Sequence, residues 1–216
     1  MRVVASVALA GCALAIGLAF GGESPPVTHE ARPRVASAIL HAVPTTSSTP
    51  RPRRPPATRR LRPITGVVNA IGDSVMLDAA PALHAAIPTI DIDAAVSRSA
   101  VRGPPLFASI AASGRMGPAI VMGLAVNGGV TAERIDQVLM IAGGRRVVMI
   151  TGHCPHCRSL AEQNATIRAT CRPARRCFVA DWDVLADKHP EWFAADGVHM
   201  GDAGALAYAR LVRSLL

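Results

Sequence analysis

The feature that most constrains the fold of this chain is a series of short apolar runs that alternate with segments of helical periodicity. The apolar runs occupy residues 67–71, 90–96, 119–126, 146–150 and 177–180. The helical segments lie at residues 76–86, 106–113, 132–142, 159–170 and 203–215. Strands that alternate with helices over short connections predict parallel pairing. The pattern therefore predicts an α/β fold, a doubly wound three-layer α/β/α sandwich around a five-stranded parallel sheet.

The composition favours one such domain with a core of small aliphatic residues. Of the 216 residues, 50% are apolar but only 3% are aromatic, so Ala, Val, Leu and Ile must fill most of the core. A chain of this length fits one domain of about 150 residues with some additional sequence. We place that domain at residues 64–216, where the strand pattern begins.

The N-terminus carries an uncharged run from Val3 to Phe20, preceded by Arg2 and ended by Glu23. Such a run is typical of an export signal or a single membrane anchor, and residues 1–22 are assigned to one of the two. Residues 9–12 resemble the lipidation site of bacterial lipoproteins, but apolar sequence continues past Cys12, which is atypical. Lipidation therefore stays an alternative. Each route predicts an extracytoplasmic protein, either secreted or tethered to the membrane.

A Pro- and Arg-rich segment, residues 23–63, separates this run from the predicted domain. Its lack of helical or strand periodicity is typical of a disordered linker. Eight arginines lie in it: Arg32, Arg34, Arg51, Arg53, Arg54, Arg59, Arg60 and Arg62. Much of the net charge of +8 therefore lies outside the domain, and the linker is expected to attract anionic lipids or envelope polymers. Without stacking aromatics or a nucleic-acid motif, nucleic acid is not an expected partner.

The first predicted strand ends in Gly72-Asp73-Ser74. Gly72 permits a tight turn, and Ser74 falls where the next helix begins. Its hydroxyl is therefore expected near free helix amides and the positive end of the helix dipole, which suits a nucleophile whose reaction develops an oxyanion. The alternative is structural, since Asp and Ser are common helix N-caps.

Asp196 and His199 lie just before the last predicted helix. At this spacing the carboxylate can turn back and accept the Nδ1 hydrogen of the imidazole, which leaves Nε2 free to deprotonate a serine. The alternative is a polar turn without a chemical role. A nucleophile upstream, such as Ser74, favours the catalytic interpretation.

A third polar residue, Asn127, follows the third predicted strand and precedes Gly128 and Gly129. Active residues of such sheets gather at the carboxyl ends of the strands, where Asn127 can offer a neutral amide donor to an oxyanion. The alternative is an Asn-Gly turn. Together the three patches indicate a nucleophile, a base with its carboxylate, and an oxyanion donor.

In this order, the patches resemble the SGNH hydrolase family, also called GDSL esterases, whose fold is an SGNH-hydrolase/flavodoxin-like sandwich. The resemblance covers residues 67–216 and matches Gly72-Asp73-Ser74, Asn127, and Asp196 with His199 to the family's motifs. Within the family, the chain looks most like the extracytoplasmic SGNH domains that O-acetylate peptidoglycan and other surface glycans. Further support comes from residues 71–77, 164–168, 181–182 and 189–192.

Two positions depart from the family's usual pattern. The family's second motif usually supplies a glycine amide to the oxyanion hole, whereas the matching stretch here is Ala95-Val96-Ser97-Arg98. The resemblance assigns Ser97 to that position. Asn127 is followed by Gly128 rather than by the Asp of the broader family, although the glycan-modifying branch also tends to carry Gly.

The resemblance implies an exported serine esterase or O-acyltransferase that acts on acyl, in particular acetyl, esters of envelope glycans. Ser74 is the implied nucleophile, with His199 as base and Asp196 orienting it. The amides of Ser74 and Ser97 and the side chain of Asn127 are the implied oxyanion hole. No cofactor or metal is implied.

The expected partners follow from the same resemblance. The substrate is an acylated glycan or another small acyl ester, and a transferase with a cytoplasmic acyl source needs a membrane protein as acyl donor. The non-enzymatic alternative is a glycan-binding pseudoenzyme. Trp182 and Trp192 either line a sugar cleft or anchor the core.

Four cysteines follow the N-terminal segment: Cys154, Cys157, Cys171 and Cys177. An even count in an exported chain predicts two disulfides, and the spacing favours Cys154 with Cys157 and Cys171 with Cys177 among the three possible pairings. Cys154-Pro155-His156-Cys157 also fits a thiol-disulfide centre. A zinc site with His153 or His156 is a further alternative.

Overall fold

The computed structural model describes residues 61–216. The segment assigned to an export signal or anchor lies outside these residues, as do Cys12 and the linker up to residue 60. No helix in the described range has both the length and the apolar character that crossing a membrane requires.

Five parallel strands form one sheet in the described part of the chain, in the order β2-β1-β3-β4-β5. They are β1 (Val68–Gly72), β2 (Ile90–Ala94), β3 (Ala119–Gly123), β4 (Arg146–Ile150) and β5 (Cys177–Ala180). Every residue of β1, β3 and β4 is buried, because helices cover both faces of a parallel sheet. The edge strand β2 alternates instead, with Ile90 buried and Asp91 and Asp93 exposed. The prediction of a five-stranded parallel sheet is confirmed.

Helices form the two outer layers. They are α1 (Ser74–Ala86), α2 (Gly103–Ala112), α3 (Ala132–Ala142), α4 (Leu160–Thr170), α5 (Trp182–Ala186) and α6 (Asp202–Arg213), with short 3₁₀ turns at Ala100–Arg102, Pro173–Arg175 and Pro190–Trp192. Helices α1 and α6 pack on one face, and α2, α3 and α4 cover the other. The predicted three-layer sandwich is therefore confirmed.

Small aliphatic side chains fill both layers of the core, as the composition indicates. Val121 and Val148 point from the inner strands into the layer under α1 and α6, whereas Ile120 and Val147 point into the opposite layer. This alternation follows from the two-residue period of a strand. Side chains on both faces of each inner strand are thus removed from water.

Two strands are shorter than the apolar pattern predicts, and α5 was not predicted. Strand β3 ends at Gly123 although Leu124 and Ala125 are buried, because these residues pack against the core without pairing in the sheet. After β2, Ser97 adopts a left-handed backbone conformation with φ 56° and leaves the sheet. Helix α5 has five residues, which is too short to show a helical period.

The strand order creates a crevice at the carboxyl edge of the sheet. Strand β1 lies between β2 and β3. Where the connections after neighbouring strands run to opposite faces of a parallel sheet, the gap between them leaves room for a ligand. Ser74 follows β1, Ser97 follows β2, and Asn127 follows β3. The fold thus brings three segments that are distant in sequence to one edge.

Candidate active site

Ser74 is the first residue of α1, directly after β1. Asp73 caps this helix, since its buried Oδ1 accepts a hydrogen bond from Val75 N at 3.0 Å. A side chain at Gly72 would clash, because its Cβ would lie 2.3 Å from Met76 Cβ. The turn leaves the Ser74 side chain half-buried at the helix N-terminus.

His199 links Ser74 to Asp196 through two hydrogen bonds. Its Nε2 lies 3.0 Å from Ser74 Oγ, and its Nδ1 lies 2.6 Å from Asp196 Oδ2. Ser74 and His199 are 125 residues apart in sequence, so only the tertiary fold brings them together. The arrangement matches a nucleophile, a base and an orienting carboxylate.

A short hairpin, residues 193–200, carries Asp196 and His199 into the site. At its base Phe193 pairs with Met200 in an antiparallel bridge. Above that bridge, Ala194 N donates to His199 O at 2.8 Å. We refer to this segment as the Asp-His hairpin.

Backbone amides within the Asp-His hairpin hold the carboxylate of Asp196. Oδ1 accepts hydrogen bonds from Val198 N at 2.9 Å and His199 N at 3.0 Å. Gly197, between Asp196 and Val198, has φ 66°, a left-handed conformation that favours glycine. Because Oδ1 is occupied by the amides, Oδ2 is available for the imidazole.

Ser97 and Asn127 lie on the loops that flank Ser74. Ser97 is exposed in the loop after β2, and Asn127 is exposed in the loop after β3. The two loops are tied together, since Ala100 N donates to Gly128 O at 2.9 Å. Both loops therefore lie at the carboxyl edge of the sheet, where β1 leads into Ser74.

The chain is similar to parts of known O-acetyltransferases. Over 147 residues it is 29% identical to the peptidoglycan O-acetyltransferase OatA of Listeria monocytogenes, and over 143 residues it is 29% identical to the O-acetyltransferase OatA of Staphylococcus aureus. These alignments cover 68% and 66% of this chain. They cover 23% and 24% of the two relatives, so the chain spans about a quarter of their length. No protein-family model matches the chain.

A solved structure identifies the fold. The C-terminal catalytic domain of Streptococcus pneumoniae peptidoglycan O-acetyltransferase A, with a methylsulfonyl adduct, matches at a TM-score of 0.62 and 25% identity over 69% of this chain and 91% of that domain. The described part of the chain has the SGNH-hydrolase fold. A carbohydrate esterase family 3 structure from Talaromyces cellulolyticus shares the fold at a TM-score of 0.56 and 13% identity, covering 68% of this chain and 94% of that one. The resemblance predicted from sequence is confirmed.

Hydrogen bonding sets the charges of the Asp196 and His199 pair. The hydrogen bond from His199, together with those from two backbone amides, lowers the pKa of Asp196 to about 2. The hydrogen bond to Asp196 raises the pKa of His199 above its ordinary value of 6.5, although partial burial opposes this effect. Asp196 is therefore ionised at neutral pH, and His199 gains its proton-accepting Nε2 only as the pH rises through its raised pKa.

The pKa of Asp73, next to Ser74, is raised, whereas that of Asp196 is lowered. Only 2% of the surface of Asp73 is exposed, and burial raises its pKa to about 6 even though backbone amides favour the charged form. Between pH 4 and 6 the folded chain therefore keeps a proton on Asp73 that the unfolded chain has released. In that interval the free energy of unfolding falls as the pH rises.

We expect Asp73→Asn to remove this pH dependence. Subtracting the free energy of unfolding of the native chain from that of the variant gives a difference that should rise with pH. From pH 4 to pH 7 the rise should reach up to about 3 kcal/mol, since each pKa unit corresponds to about 1.4 kcal/mol. Urea unfolding of both chains at several pH values measures the difference. A constant offset due to altered capping cancels in this comparison, and a difference that does not vary with pH contradicts the prediction.

A polar cluster beside the site was not predicted from sequence. Thr151 Oγ1 donates to Asp181 Oδ1 at 3.0 Å and accepts from Asp183 N at 3.0 Å. Arg168 binds Asp181 through two hydrogen bonds, of 2.9 and 2.6 Å, and Asp183 through one of 2.8 Å. The cluster fixes the start of α5 at the carboxyl ends of β4 and β5. The position of Asp181 immediately after a strand is a sequence signal for it, and Arg168 and Asp181 both lie in stretches that support the family resemblance.

The two tryptophans belong to an aromatic stack. Trp182 is 1% exposed and stacks on the half-buried Trp192 at 5.9 Å between ring centroids. Tyr208 meets Trp182 edge to face at 5.2 Å. Trp182 is therefore a core anchor, the second of the two roles considered from sequence.

Both disulfides that the spacing favours are present. Cys154 is bonded to Cys157 after β4, and Cys171 is bonded to Cys177 at the start of β5. Because both cysteines of the Cys-x-x-Cys motif are oxidised, they offer no thiolate to a zinc ion. Within residues 61–216, no group of three or more His, Cys, Asp or Glu side chains is arranged to hold a metal ion.

Proposed function

We propose that this chain is an exported O-acyltransferase that moves acetyl groups onto cell-envelope glycans through an acyl-enzyme on Ser74. The observation that carries the proposal is the hydrogen-bonded series from Ser74 through His199 to Asp196. The similarity of the chain to peptidoglycan O-acetyltransferases supports the proposed class of substrate. Hydrolysis of the same esters is the competing outcome at the same site.

In the first half-reaction, Ser74 Oγ attacks the carbonyl carbon of the donor ester. Nε2 of His199 takes the serine proton, and the carboxylate of Asp196 stabilises the imidazolium that results. The tetrahedral oxyanion is held by the Ser74 amide at the helix N-terminus, the Ser97 amide and the Asn127 side chain. Collapse breaks the bond to the donor oxygen, which leaves with the proton from His199.

In the second half-reaction, an acceptor hydroxyl attacks the acyl-serine. His199 takes the acceptor's proton, a second oxyanion forms in the same place, and its collapse returns the proton to Ser74 Oγ. A glycan hydroxyl as acceptor gives transfer, whereas water gives hydrolysis. The chemistry of the protein side chains is identical in both cases.

The open surface around Ser74 suits a polymeric acceptor. The side chains of His199 and Asp196 are 45% and 50% exposed, and Val96 and Asn127 are exposed in the loops after β2 and β3. The cavity that borders Asp73 measures about 10 Å³, which is space for about one water molecule. The exposed side chains of Asp196 and His199 leave room for an extended glycan chain along the surface.

The remaining parts of the proposal concern delivery of the chain and of the acyl group. We propose that residues 1–22 export or anchor the protein, and that the linker of residues 23–63 holds the SGNH domain near anionic lipids or polymers through its arginines. A separate membrane protein would supply acyl groups from a cytoplasmic source.

The test follows acetyl groups from donor to product. The full chain is incubated with p-nitrophenyl acetate at increasing concentrations of oligosaccharides from peptidoglycan, and acetate and acetylated sugar are both quantified. We expect acetylated sugar to form, and the release of p-nitrophenol to accelerate as acceptor is added. Acetate alone at every acceptor concentration would identify an esterase, and absence of any turnover by the folded chain would favour the glycan-binding pseudoenzyme.

A further inference from the structure

The Cys-x-x-Cys motif has no part in the mechanism above, yet it lies beside the site. It forms a tight loop after β4, which we call the disulfide loop, residues 153–157. The bond between Cys154 and Cys157 closes it, and Cys157 N donates to Cys154 O at 3.2 Å within it. Both cysteines pack against the core layer under α3 and α4.

The disulfide loop contacts the Asp-His hairpin at two points. At the hairpin tip, Pro155 Cδ lies 3.2 Å from the position that a Cβ on Gly197 would take, directly beside Asp196. At the hairpin base, the ring of His153 packs on Phe193 with 4.8 Å between ring centroids. The loop therefore touches both ends of the segment that presents His199 to Ser74.

The disulfide loop is itself fixed to the core of the domain. Asn164, which is 1% exposed, accepts from Gly152 N at 2.9 Å and donates to Gly152 O at 2.8 Å. On the other side of the loop, Leu160 N donates to Cys157 O at 3.1 Å. Both flanks of the loop are thus held by α4, while Asp196 on the hairpin is exposed.

We infer that the Cys154–Cys157 disulfide is a positioning element of the active site, which keeps Pro155 against the Asp-His hairpin so that His199 stays aligned with Ser74. This inference rests on the proposed function. A ring closed over so few residues removes little entropy from the unfolded chain, so its main effect is on local geometry. Small displacements of a catalytic group of about 1 Å cost on the order of 10²-fold in rate.

The same geometry makes the activity sensitive to redox conditions. A dithiol reductant converts the disulfide into two cysteine thiols and is itself oxidised to a disulfide, with two electrons and two protons transferred. The loop then loses its closure and Pro155 its fixed position. Reoxidation restores both.

Paired variants of the two disulfides test the inference in the full chain, with Cys12→Ser in every chain so that no additional thiol is present. One variant carries Cys154→Ser and Cys157→Ser, and the other carries Cys171→Ser and Cys177→Ser. The second pair is the matched control, because Cys177 begins β5 at the amino edge of the sheet, away from Ser74. For each chain we measure kcat and KM with p-nitrophenyl acetate, the pKa of His199 by NMR, and the melting temperature.

We expect the Cys154→Ser, Cys157→Ser variant to lose about 10- to 100-fold in kcat with little change in KM, and the pKa of His199 to fall as its bond to Asp196 weakens. The control variant should keep kcat within about twofold and keep the native His199 pKa, even where its melting temperature falls. Treatment with dithiothreitol should lower kcat of the Cys12→Ser parent reversibly and leave the first variant unchanged.

Native kcat and a native His199 pKa in the first variant would overturn the inference. Equal losses of activity and stability in both variants would overturn it as well, because the effect would then be global. The proposed function fails separately, through the absence of Ser74-dependent turnover in the oxidised parent chain. In that case the His199 pKa still reports whether the disulfide positions the hairpin.

Discussion

Ser74→Ala is expected to lower kcat with p-nitrophenyl acetate by on the order of 10⁴-fold or more. The substitution removes the only oxygen that lies 3.0 Å from His199 Nε2 in the described structure, and with it the acyl-enzyme. Stopped-flow and steady-state release of p-nitrophenol measure the change. The helix and its Asp73 cap remain, so the melting temperature should change little.

Ser109→Ala is the matched control for this substitution. Ser109 is an exposed serine on α2, and surface changes of this kind usually alter stability by less than about 0.5 kcal/mol. Its kcat should equal that of the native chain. Equal rates for Ser74→Ala and Ser109→Ala would show that any observed turnover does not use Ser74.

Asp196→Asn is expected to lower kcat by about 10²- to 10⁴-fold. An amide nitrogen facing His199 Nδ1 donates a hydrogen bond, which places the imidazole proton on Nε2 and removes the base that Ser74 needs. The substitution also removes the main cause of the raised pKa of His199. Because activity requires neutral His199, the acidic limb of the pH–rate profile should move to lower pH.

Asp202→Asn serves as the control, since Asp202 is an exposed acid in the first turn of α6. It should keep the native rate and the native acidic limb. An Asp196→Asn profile whose acidic limb stays in place, or moves to higher pH, would contradict the assignment of Asp196 as the partner that sets the charge of His199.

Much of the fold could be predicted from the sequence because burial on both faces leaves a simple pattern. Strands such as β4 (Arg146–Ile150) are almost wholly apolar, and parallel strands of this kind need helices between them. The same rule predicted the end of β3 wrongly, since Leu124 and Ala125 are buried but do not pair in the sheet. An apolar run indicates that its residues are buried, and buried residues occur in loops and helices as well as in strands.

The candidate site was predictable where its residues are local in sequence. Asp196 and His199 are three residues apart, and each position in the motif has a chemical reason. The roles of Ser97 and Asn127 in an oxyanion hole remain predictions.

The parts of the site that sequence could not supply depend on contacts between distant segments. Thr151 follows β4 and Asp181 follows β5, and their side chains are hydrogen-bonded. Pro155 contacts Gly197 only because the loop after β4 folds toward the hairpin before α6. Neither contact leaves a period or a spacing in the sequence. The two disulfides were predictable because cysteines three and six residues apart leave few ways to pair.

Labelling with methanesulfonyl fluoride is the measurement that shows whether Ser74 is an activated nucleophile. Attack by Ser74 Oγ on sulfur expels fluoride and leaves a stable sulfonyl ester, so the adduct accumulates even where an acyl-enzyme turns over too quickly to be seen. Intact mass and peptide mapping of the full chain should show one methylsulfonyl group, located on Ser74 and absent from Ser74→Ala. An unlabelled folded chain, or the same labelling in Ser74→Ala, would contradict the account.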